Sequence, residues 1–523
     1  MAYVDLSEPP KSVGSSKVDF IIKKWRESEI LKEQWKPKYE EAYEYTMPQR
    51  ESFYDETPAE RRTDKIFDET AVVGIQEFAS RLQSGIVPTF ARWANLEAGT
   101  DIPDEAQEEV NVQLDSITKY IFELLGSSNF NQEVHETFMD LAVGTGVLMV
   151  EEGDAVNPIN FTAVPLSQVS LLNGPNNKVD TIFRKRVCKF GQVSILYPQA
   201  KISEETMQQM DEDKKCVLID GVYRDYTDLN EEKYKRCVML LDRKEIIFEQ
   251  EYVGVGSNPY IVFRWNKASG EVYGRGPVFN AMSAIKTCNL TIQLILENAQ
   301  LAVSGIYQIE DDGVVNPDNI SLVPGTLIPI APASRGLMPI EASGRFDVAQ
   351  LILEDMLNNI KKARYMETLG RPEGTPMTAT EVAERMADLS RQIGSSFGRL
   401  QAEFVLPVLR RVIRLLVKQG RIDIPMVNGR DIKVQAVSPL SRAQFNQDIT
   451  DINRFNEIIG VTFGPQMLNL IVNQDELARH LAKLMNIPEK ILRDKAEQQQ
   501  MANEISQMAQ QGQAEVSPNE QAQ

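Results

Sequence analysis

The sequence predicts an α+β fold, with helices at both ends of the chain and β-strands in the middle. Apolar residues recur at helical spacing near the N-terminus, short β-type runs follow, and longer helical patterns come after those. The chain has 523 residues, of which 42% are hydrophobic and 25% are charged. This length and composition suit a soluble globular protein of several domains with a sizeable core.

Four helices are predicted in the N-terminal region, at 18–45, about 68–86, about 105–125, and from about 131 to just before Gly144. In the first of them, Ile21, Ile22 and Trp25 begin an apolar stripe that continues beyond Leu31. Short β-type runs separated by turn residues then predict strands. These strands lie at 147–150, 160–164, 181–187, 216–226, 238–241, 245–253 and 261–265.

Two long helices are predicted on either side of an irregular segment. The first covers 277–303 and begins at Pro277, where the missing N–H of proline does no harm. It would be about 40 Å long at the usual helical rise. The second covers 346–366. Residues 304–345 between them contain five prolines and five glycines. Structureless loops of this length are uncommon, so we interpret the segment as a lobe on a helical stalk, with short strands such as 306–309 and 326–330.

A loop at 367–377 leads into a marked helix start. Thr378 and Glu381 form a capping box, and Met377 with Val382 forms a hydrophobic staple. Apolar spacing continues for about 40 residues, roughly 60 Å of helix, and Pro407 is expected to kink this helix without ending it. Beyond it we predict a strand at 432–437, helices near 442–459, 465–471, 476–485 and from 488, and a disordered Gln-rich tail.

The sequence lacks the motifs of common enzymes. No phosphate-binding loop and no nucleophile elbow is present. Only two histidines occur, and Met139 stands four residues after His135, where a two-histidine zinc motif would place the second. The four cysteines are widely spaced and are expected to be reduced thiols. We therefore expect no enzyme, no cofactor and no metal.

No apolar run approaches the length of a membrane-spanning helix, and the N-terminus does not resemble a signal peptide. We therefore expect neither membrane insertion nor secretion. The net charge of −19 argues against tight, sequence-independent nucleic-acid binding over the whole surface.

Three stretches resemble the head–tail connector, or portal, family of short-tailed bacteriophages. They are Arg264-Trp265 followed by Glu271-Val-Tyr-Gly-Arg-Gly-Pro277, then Pro376-Met-Thr-Ala-Thr-Glu-Val382, and Val437-Ser-Pro-Leu-Ser-Arg-Ala-Gln444. Each motif alone is a weak match, since its physical content is only turns and helix starts. Their order and spacing are specific, and the resemblance covers about residues 17–490.

The resemblance implies a portal fold: a mixed α/β wing, a two-helix stem, a small β-containing clip, a long kinked spine helix and a helical C-terminal crown. The implied divisions are an N-terminal arm at 1–16, wing at 17–276, stem helices at 277–303 and 346–366, clip at 304–345, channel loop at 367–377, wing again at 378–440, crown at 441–500 and a disordered tail at 501–523.

The resemblance also implies a ring of twelve copies at one capsid vertex, assembled in the host cytoplasm, through which double-stranded DNA is packaged and ejected. The implied partners are terminase, which carries the ATPase, together with the tail adaptor and the capsid and scaffolding proteins. A largely repulsive lumen with few cations would let a polyanion pass. A different ring-forming neck or baseplate protein is one alternative, and an enzyme with an unusual site is another.

Two sets of charged residues are candidate sites. Lys361, Lys362 and Arg364 end the second stalk helix and Arg371 follows in the loop, so these cations are expected to face DNA in the channel. Helix-dipole stabilisation alone is the alternative for the three on the helix. Four acids of the lobe are expected to dock adaptor and terminase, the alternative being a solvated turn. They are Glu310, Asp311, Asp312 and Asp318.

Overall fold

The computed structural model confirms the mixed class, because helices occur together with antiparallel sheets. It describes residues 15–54, 64–89, 91–98, 104–228, 231–304, 307–309, 337–339, 346–363, 394, 396–423, 433–436, 449, 451–459, 461–462 and 472–485.

The four N-terminal helices lie within three residues of their predicted bounds. They are α1 (Ser15–Thr46), α2 (Thr70–Ile86), α3 (Asp104–Ser127) and α4 (Phe130–Val143). The N-terminal half of α1 buries Ile21 and Ile22 against one sheet, whereas its C-terminal half places Tyr39 and Tyr43 in the main core. One long helix therefore links two parts of the body.

Two antiparallel sheets form the middle of the chain. The smaller has the order β3-β2-β9, from β2 (Thr145–Glu152), β3 (Ile159–Ala163) and β9 (Tyr260–Arg264). The larger runs in sequence order through β4 (Val169–Asn173), β5 (Val179–Lys189), β6 (Lys215–Asp225), β7 (Lys233–Leu240) and β8 (Glu245–Val253). The predicted strands are confirmed, but the prediction missed β4.

A further pair joins distant parts of the chain: β1 (Ala94–Glu97) pairs antiparallel with β12 (Lys433–Ala436). The sequence predicted β12 and missed β1. It also missed two short helices in the excursion between β5 and β6, α5 (Val193–Leu196) and α6 (Glu204–Gln209).

The predicted stalk helices are present as α7 (Pro277–Ser304) and α8 (Phe346–Ala363). Between them, β10 (Tyr307–Ile309) pairs antiparallel with β11 (Leu337–Pro339), which confirms the first of the two short strands predicted there. The second, at 326–330, lies outside the described residues.

Only the later part of the long helix is described. It passes through a π-helical turn, Gln401–Val405, directly into α9 (Leu406–Lys418), so the helix does continue past Pro407 as predicted. Near the C-terminus, residues 451–459 and Gln474–Met485 are helical, as predicted. The helices predicted at 465–471 and from 488 lie outside the described residues.

The main core surrounds β2, whose residues 145–150 are all buried. Helix α4, strand β9 and the π-helical turn meet through three aromatic rings. Phe263 lies 4.6 Å from Phe404 and 6.0 Å from Phe138, measured between ring centroids. Aromatic pairs at such distances add to the stabilisation from burial.

A buried ion pair connects the two sheets. Arg236 on β7 donates to both carboxylate oxygens of Asp220 on β6, at 3.0 and 2.7 Å, and to Glu151 of β2 at 2.6 Å. Tyr260 of β9 donates to Asp220 at 3.1 Å. Burial acts to raise the pKa of Asp220, but the Arg236 guanidinium outweighs it and holds that pKa below its usual value.

Candidate functional site

The candidate site is the two-helix hairpin formed by α7 and α8, together with its junction to the body. The two helices pack on each other, and α8 also contacts α2. Their shared apolar cluster combines helically spaced residues of both: Ala281, Ala284, Ile285, Cys288 and Ile292 from α7, and Leu353, Met356, Leu357 and Ile360 from α8. Since Ala71 of α2 belongs to the same cluster, the base of the hairpin is set against the body.

The hairpin also exposes large apolar side chains on its outer surfaces. Leu290 and Leu294 are 56% and 50% exposed, one helical turn apart on α7. By helical periodicity they lie on the side of α7 opposite its buried residues. On α8, Leu351 is 67% exposed and lies opposite the buried side of that helix. The hairpin therefore exposes two leucines on the outward side of α7 and one leucine on the outward side of α8.

The predicted channel lysines lie at the base of this hairpin. Lys361 and Lys362 are exposed and directly follow Ile360, which is fully buried. Neither lysine forms an ion pair with another residue that the structure describes. Arg364 and Arg371 lie outside the described residues, as do Glu310, Asp311, Asp312 and Asp318 of the lobe.

The segment before α7 joins the hairpin to the body through close backbone contacts. The amide of Gly276 donates to the Val143 carbonyl at 2.8 Å. A side chain at Gly276 would overlap the backbone of Ala142, and one at Gly274 would overlap the Gly144 carbonyl. Only glycine fits at such a close approach of two chains. This is a physical reason for the glycines of the Gly-Arg-Gly-Pro motif.

Buried tyrosines support the same junction. Tyr39 of α1 donates to the Gly274 carbonyl at 2.6 Å, and the Gly274 amide donates to the Thr145 hydroxyl at 2.8 Å. Tyr273 accepts a bond from the Leu171 amide of β4 at 3.2 Å. The motif is thus connected to α1, β2 and β4 at once.

Polar contacts anchor the base of α7 from a second direction. The side-chain oxygen of Asn289, which is 3% exposed, accepts from the Phe67 and Asp68 amides at 2.7 and 3.0 Å. Lys286 forms an ion pair with Glu41 of α1. The N-terminal half of α7 is therefore bound to α1 and to the segment before α2.

The long helix is attached to the same region by two arginines. Arg264 of β9 is 2% exposed and forms a two-pronged pair with Glu403 of the π-helical turn, at 2.7 and 3.1 Å. Arg411 of α9 donates to the carbonyls of Val150 and Ser257 at 3.1 and 2.7 Å. These bonds fix the described part of the long helix across the smaller sheet.

An acid lies buried close to the junction. Asp140 of α4 accepts from Tyr43 at 3.2 Å and lies 3.2 Å from Arg50, which also pairs with Glu136. Burial raises the pKa of Asp140 to about 6, and the neighbouring Arg50 only partly opposes this. The carboxyl therefore takes up a proton in mildly acidic solution.

Sequence reasoning missed these contacts, although the resemblance drew attention to Arg264, Gly274 and Gly276. Two glycines that flank a single residue, just before the proline that opens a helix, indicate that another part of the chain passes close to the backbone. This signal could have predicted the close contact at Gly274 and Gly276. Nothing in the sequence indicates that Arg264 pairs with Glu403, because 139 positions separate the two residues.

Among the residues that the structure describes, no helix combines the length and the hydrophobicity of a membrane span. Within the same part of the chain, no group of three or more His, Cys, Asp or Glu residues is arranged to hold a metal ion. His135 lies on α4, with its Nδ1 atom 3.3 Å from the side-chain oxygen of Gln83.

Solved structures show only slight similarity to this chain. A virion of a native gene transfer agent particle matches with a TM-score of 0.34 and 11% identity, covering 74% of this chain and 86% of that one. The neck of an empty gene transfer agent particle matches with a TM-score of 0.34 and 13% identity, covering 79% and 90%. Similarity at this level is too slight to define the fold.

Sequence comparison gives a clear result. A probable portal protein of Bordetella phage BPP-1 is 22% identical to the chain, covering 93% of this chain and 92% of its own. The portal proteins of Escherichia phage T7 and Enterobacteria phage T3 are each 20% identical, covering 83% and 79% of this chain and 81% and 77% of theirs. The family model for the bacteriophage head to tail connecting protein matches residues 19–492. The chain therefore belongs to the family of bacteriophage head-to-tail connecting proteins, the portal proteins of short-tailed phages.

Proposed function

We propose that twelve copies of the chain form a closed ring at one capsid vertex, and that this ring is the conduit for DNA packaging and ejection. The structural observation behind the proposal is that leucines are exposed on both outward sides of the α7–α8 hairpin, Leu290 with Leu294 on α7 and Leu351 on α8. Single exposed leucines are common on monomeric proteins, so the family match over residues 19–492 supports the ring and the leucines indicate where its subunit contacts would lie. In the ring, the α7 surface of one copy covers the α8 surface of the next.

The positions of these leucines suit rotational symmetry. Leu294 lies nine residues beyond Ile285 on α7, and Leu351 lies nine residues before Ile360 on α8. Both isoleucines belong to the cluster at the base, so the two leucines are at similar distances from the body. Rotation about an axis parallel to the hairpin does not change the distance of a residue from the body along that axis. It therefore brings the α7 side of one copy to the α8 side of the next at the same level. Such head-to-tail contacts close into rings when the rotation permits.

Negative-stain imaging of the purified chain tests this proposal. A wide ring with a central opening is expected of a conduit. Compact particles or solid discs without an opening would contradict it and would favour another structural role in the phage neck or baseplate.

Within the ring, residues 277–303 and 346–366, which contain most of α7 and all of α8, are the stem, and 304–345 are the clip. Residues 17–276 and 378–440 form the wing, 367–377 the channel loop and 441–500 the crown. The ring lies in the virion and assembles in the host cytoplasm with capsid and scaffolding proteins. We expect no ATP hydrolysis by the chain, because the motor is a separate terminase; ATPase activity that stays with the purified ring would overturn this.

The channel proposal concerns Lys361, Lys362, Arg364 and Arg371. The two lysines are exposed and form no ion pair with a residue that the structure describes. Their charges are therefore available to phosphate. Repeated around a ring, the cations would form a belt that holds DNA weakly and more weakly still in salt.

The test neutralises Lys361, Lys362 and Arg371 together as glutamines in a phage. Ring assembly should be unchanged, while the amount of packaged or retained DNA should fall. Normal packaging and retention would leave helix stabilisation as the only role of the lysines.

The docking proposal concerns the clip acids Glu310, Asp311, Asp312 and Asp318, which would face the adaptor and terminase outside the capsid. Reversing the charge of Glu310, Asp311 and Asp312 should abolish adaptor binding in a pull-down while the ring stays intact. Unchanged binding would show that these acids form a solvated turn.

A further inference from the structure

Two of the four cysteines face each other across neighbouring strands of the five-stranded sheet. Cys188 on β5 stands directly opposite Cys216 on β6 in the antiparallel register. Their sulfur atoms are 3.8 Å apart. Directly opposed residues in antiparallel strands have Cα atoms about 4.5–5.5 Å apart, which lies inside the range of about 4.4–6.8 Å that a disulfide requires. The separation of the two strands therefore suits a disulfide between these residues.

The other two cysteines lack such a partner. Cys237 is opposite Gly221, five residues along β6 from Cys216, and therefore lies on the other face of the sheet. Cys288 is buried in the cluster at the base of the hairpin. Cys188 is partly exposed, whereas Cys216, Cys237 and Cys288 are buried. Only the first pair combines a facing sulfur with access from solvent.

We propose that Cys188 and Cys216 form an intramolecular disulfide when the protein meets a disulfide oxidant such as oxidised glutathione. The Cys188 thiolate attacks one sulfur of glutathione disulfide and releases one glutathione. The Cys216 thiolate then attacks Cys188 Sγ and releases the second. One Sγ–Sγ bond replaces two S–H bonds, and the two protons and two electrons leave on two molecules of glutathione.

The environment makes this reaction slow but does not prevent it. Burial, with the neighbouring Cys188 sulfur, raises the pKa of Cys216 to about 12, and burial also raises the pKa of Cys188. Both groups are therefore protonated in neutral solution, and the reactive thiolate is scarce. In the reducing cytoplasm the pair stays as thiols, whereas outside the cell a slow reaction is enough.

The bond would join two adjacent inner strands of the sheet and add a covalent link between residues 188 and 216. Cross-links of this kind stabilise chiefly by restricting the unfolded chain. The sheet of a released phage particle would thus become harder to unfold. This consequence rests on the proposed place in the virion, whereas the chemistry is a property of the purified chain alone.

The experiment incubates the purified full-length chain with oxidised glutathione, blocks free thiols in denaturant with N-ethylmaleimide, and maps the peptides by mass spectrometry. The expected result is a linked pair of peptides containing Cys188 and Cys216, lighter by two hydrogen atoms than the separate peptides. Cys237 and Cys288 should be blocked. Dithiothreitol should reverse the link, and oxidation should raise Tm by a few degrees.

The Cys188→Ser variant is the matched control, and it should show neither the link nor the Tm rise. Any of three findings on the unmodified chain would overturn the proposal. These are four blocked cysteines after oxidation, glutathione retained on Cys188, or a link from Cys188 to another copy of the chain. None of these results bears on whether the chain forms a ring, so failure here is distinct from failure of the proposed function.

Discussion

Replacing Leu290 and Leu294 together by glutamine should weaken association between copies without unfolding the chain. Both side chains lie on the outer face of α7 and are 56% and 50% exposed. Glutamine and leucine have similar helix propensities, so α7 should persist. The substitution removes apolar surface only where the proposed neighbour would cover it.

The magnitude follows from the area left to bury. Complete burial of a leucine side chain stabilises by about 1.5–3 kcal/mol. About half of that burial remains for each of the two leucines, which gives about 1 kcal/mol each and about 2 kcal/mol for each interface. That loss corresponds to roughly 30-fold weaker binding at each contact. Every copy in a ring makes two such contacts, so the effect on assembly is larger than on one pair.

Sedimentation velocity over a concentration series measures the effect. The matched control replaces Ile195 and Met207 by glutamine, since these residues are 77% and 58% exposed on short helices away from the hairpin. The control should assemble like the unmodified chain, whereas the Leu290/Leu294 variant should shift towards monomer. Identical sedimentation of the two variants would refute the assignment of this surface to the subunit contact.

Three further predictions concern the body and its junction. Glu403→Ala removes the ionic partner of the buried Arg264. It should lower the free energy of unfolding, measured by urea denaturation, by about 3 kcal/mol. A change below about 1 kcal/mol, which is typical of a surface pair, would contradict the contact. Gly276→Ala should destabilise the folded chain by about 1–3 kcal/mol, because the added side chain would overlap neighbouring backbone. The control Gly126→Ala on α3, where space is open, should be neutral or stabilising. Equal Tm values for the two variants would contradict the close approach at Gly276. Burial raises the pKa of the Asp140 carboxyl in the folded chain to about 6, above its ordinary value of 3.8. Its contribution to stability is therefore present at low pH and is lost as pH rises through 6. Between pH 5 and 7 the unfolding free energy should fall by about 1 kcal/mol more in the unmodified chain than in Asp140→Asn; parallel pH profiles would contradict this.

Much of the fold could be predicted from the local spacing of apolar residues, because long amphipathic helices and alternating strands have recognisable sequence patterns. Helices α1 to α4, α7 and α8 were predicted for this reason. Strand β1 was missed because its four residues owe their conformation to pairing with β12, far along the chain. Strand β4 has only five residues, and Ser170 interrupts its apolar residues, so neither an alternation nor a continuous apolar run identifies it in the sequence.

The candidate site was predictable only in part. The hairpin helices and the motif before Pro277 could be identified in the sequence, but their contacts depend on packing. The overlap that excludes a side chain at Gly276 involves Ala142, more than a hundred positions away. Likewise, the outward side of α7 is known only once Ala281, Ile285 and Cys288 are seen to be buried together. Periodicity indicates that a helix has two faces but not which neighbour each face meets.

Native mass spectrometry of the purified chain tests the central claim most directly, because a closed ring has a fixed number of copies. Each copy has a mass of 59.0 kDa. We predict one dominant assembly at twelve times that mass, stable on dilution, and a closed ring of eleven or thirteen copies would support the same architecture. A stable monomer at micromolar concentration, or an open series of growing oligomers, would contradict it.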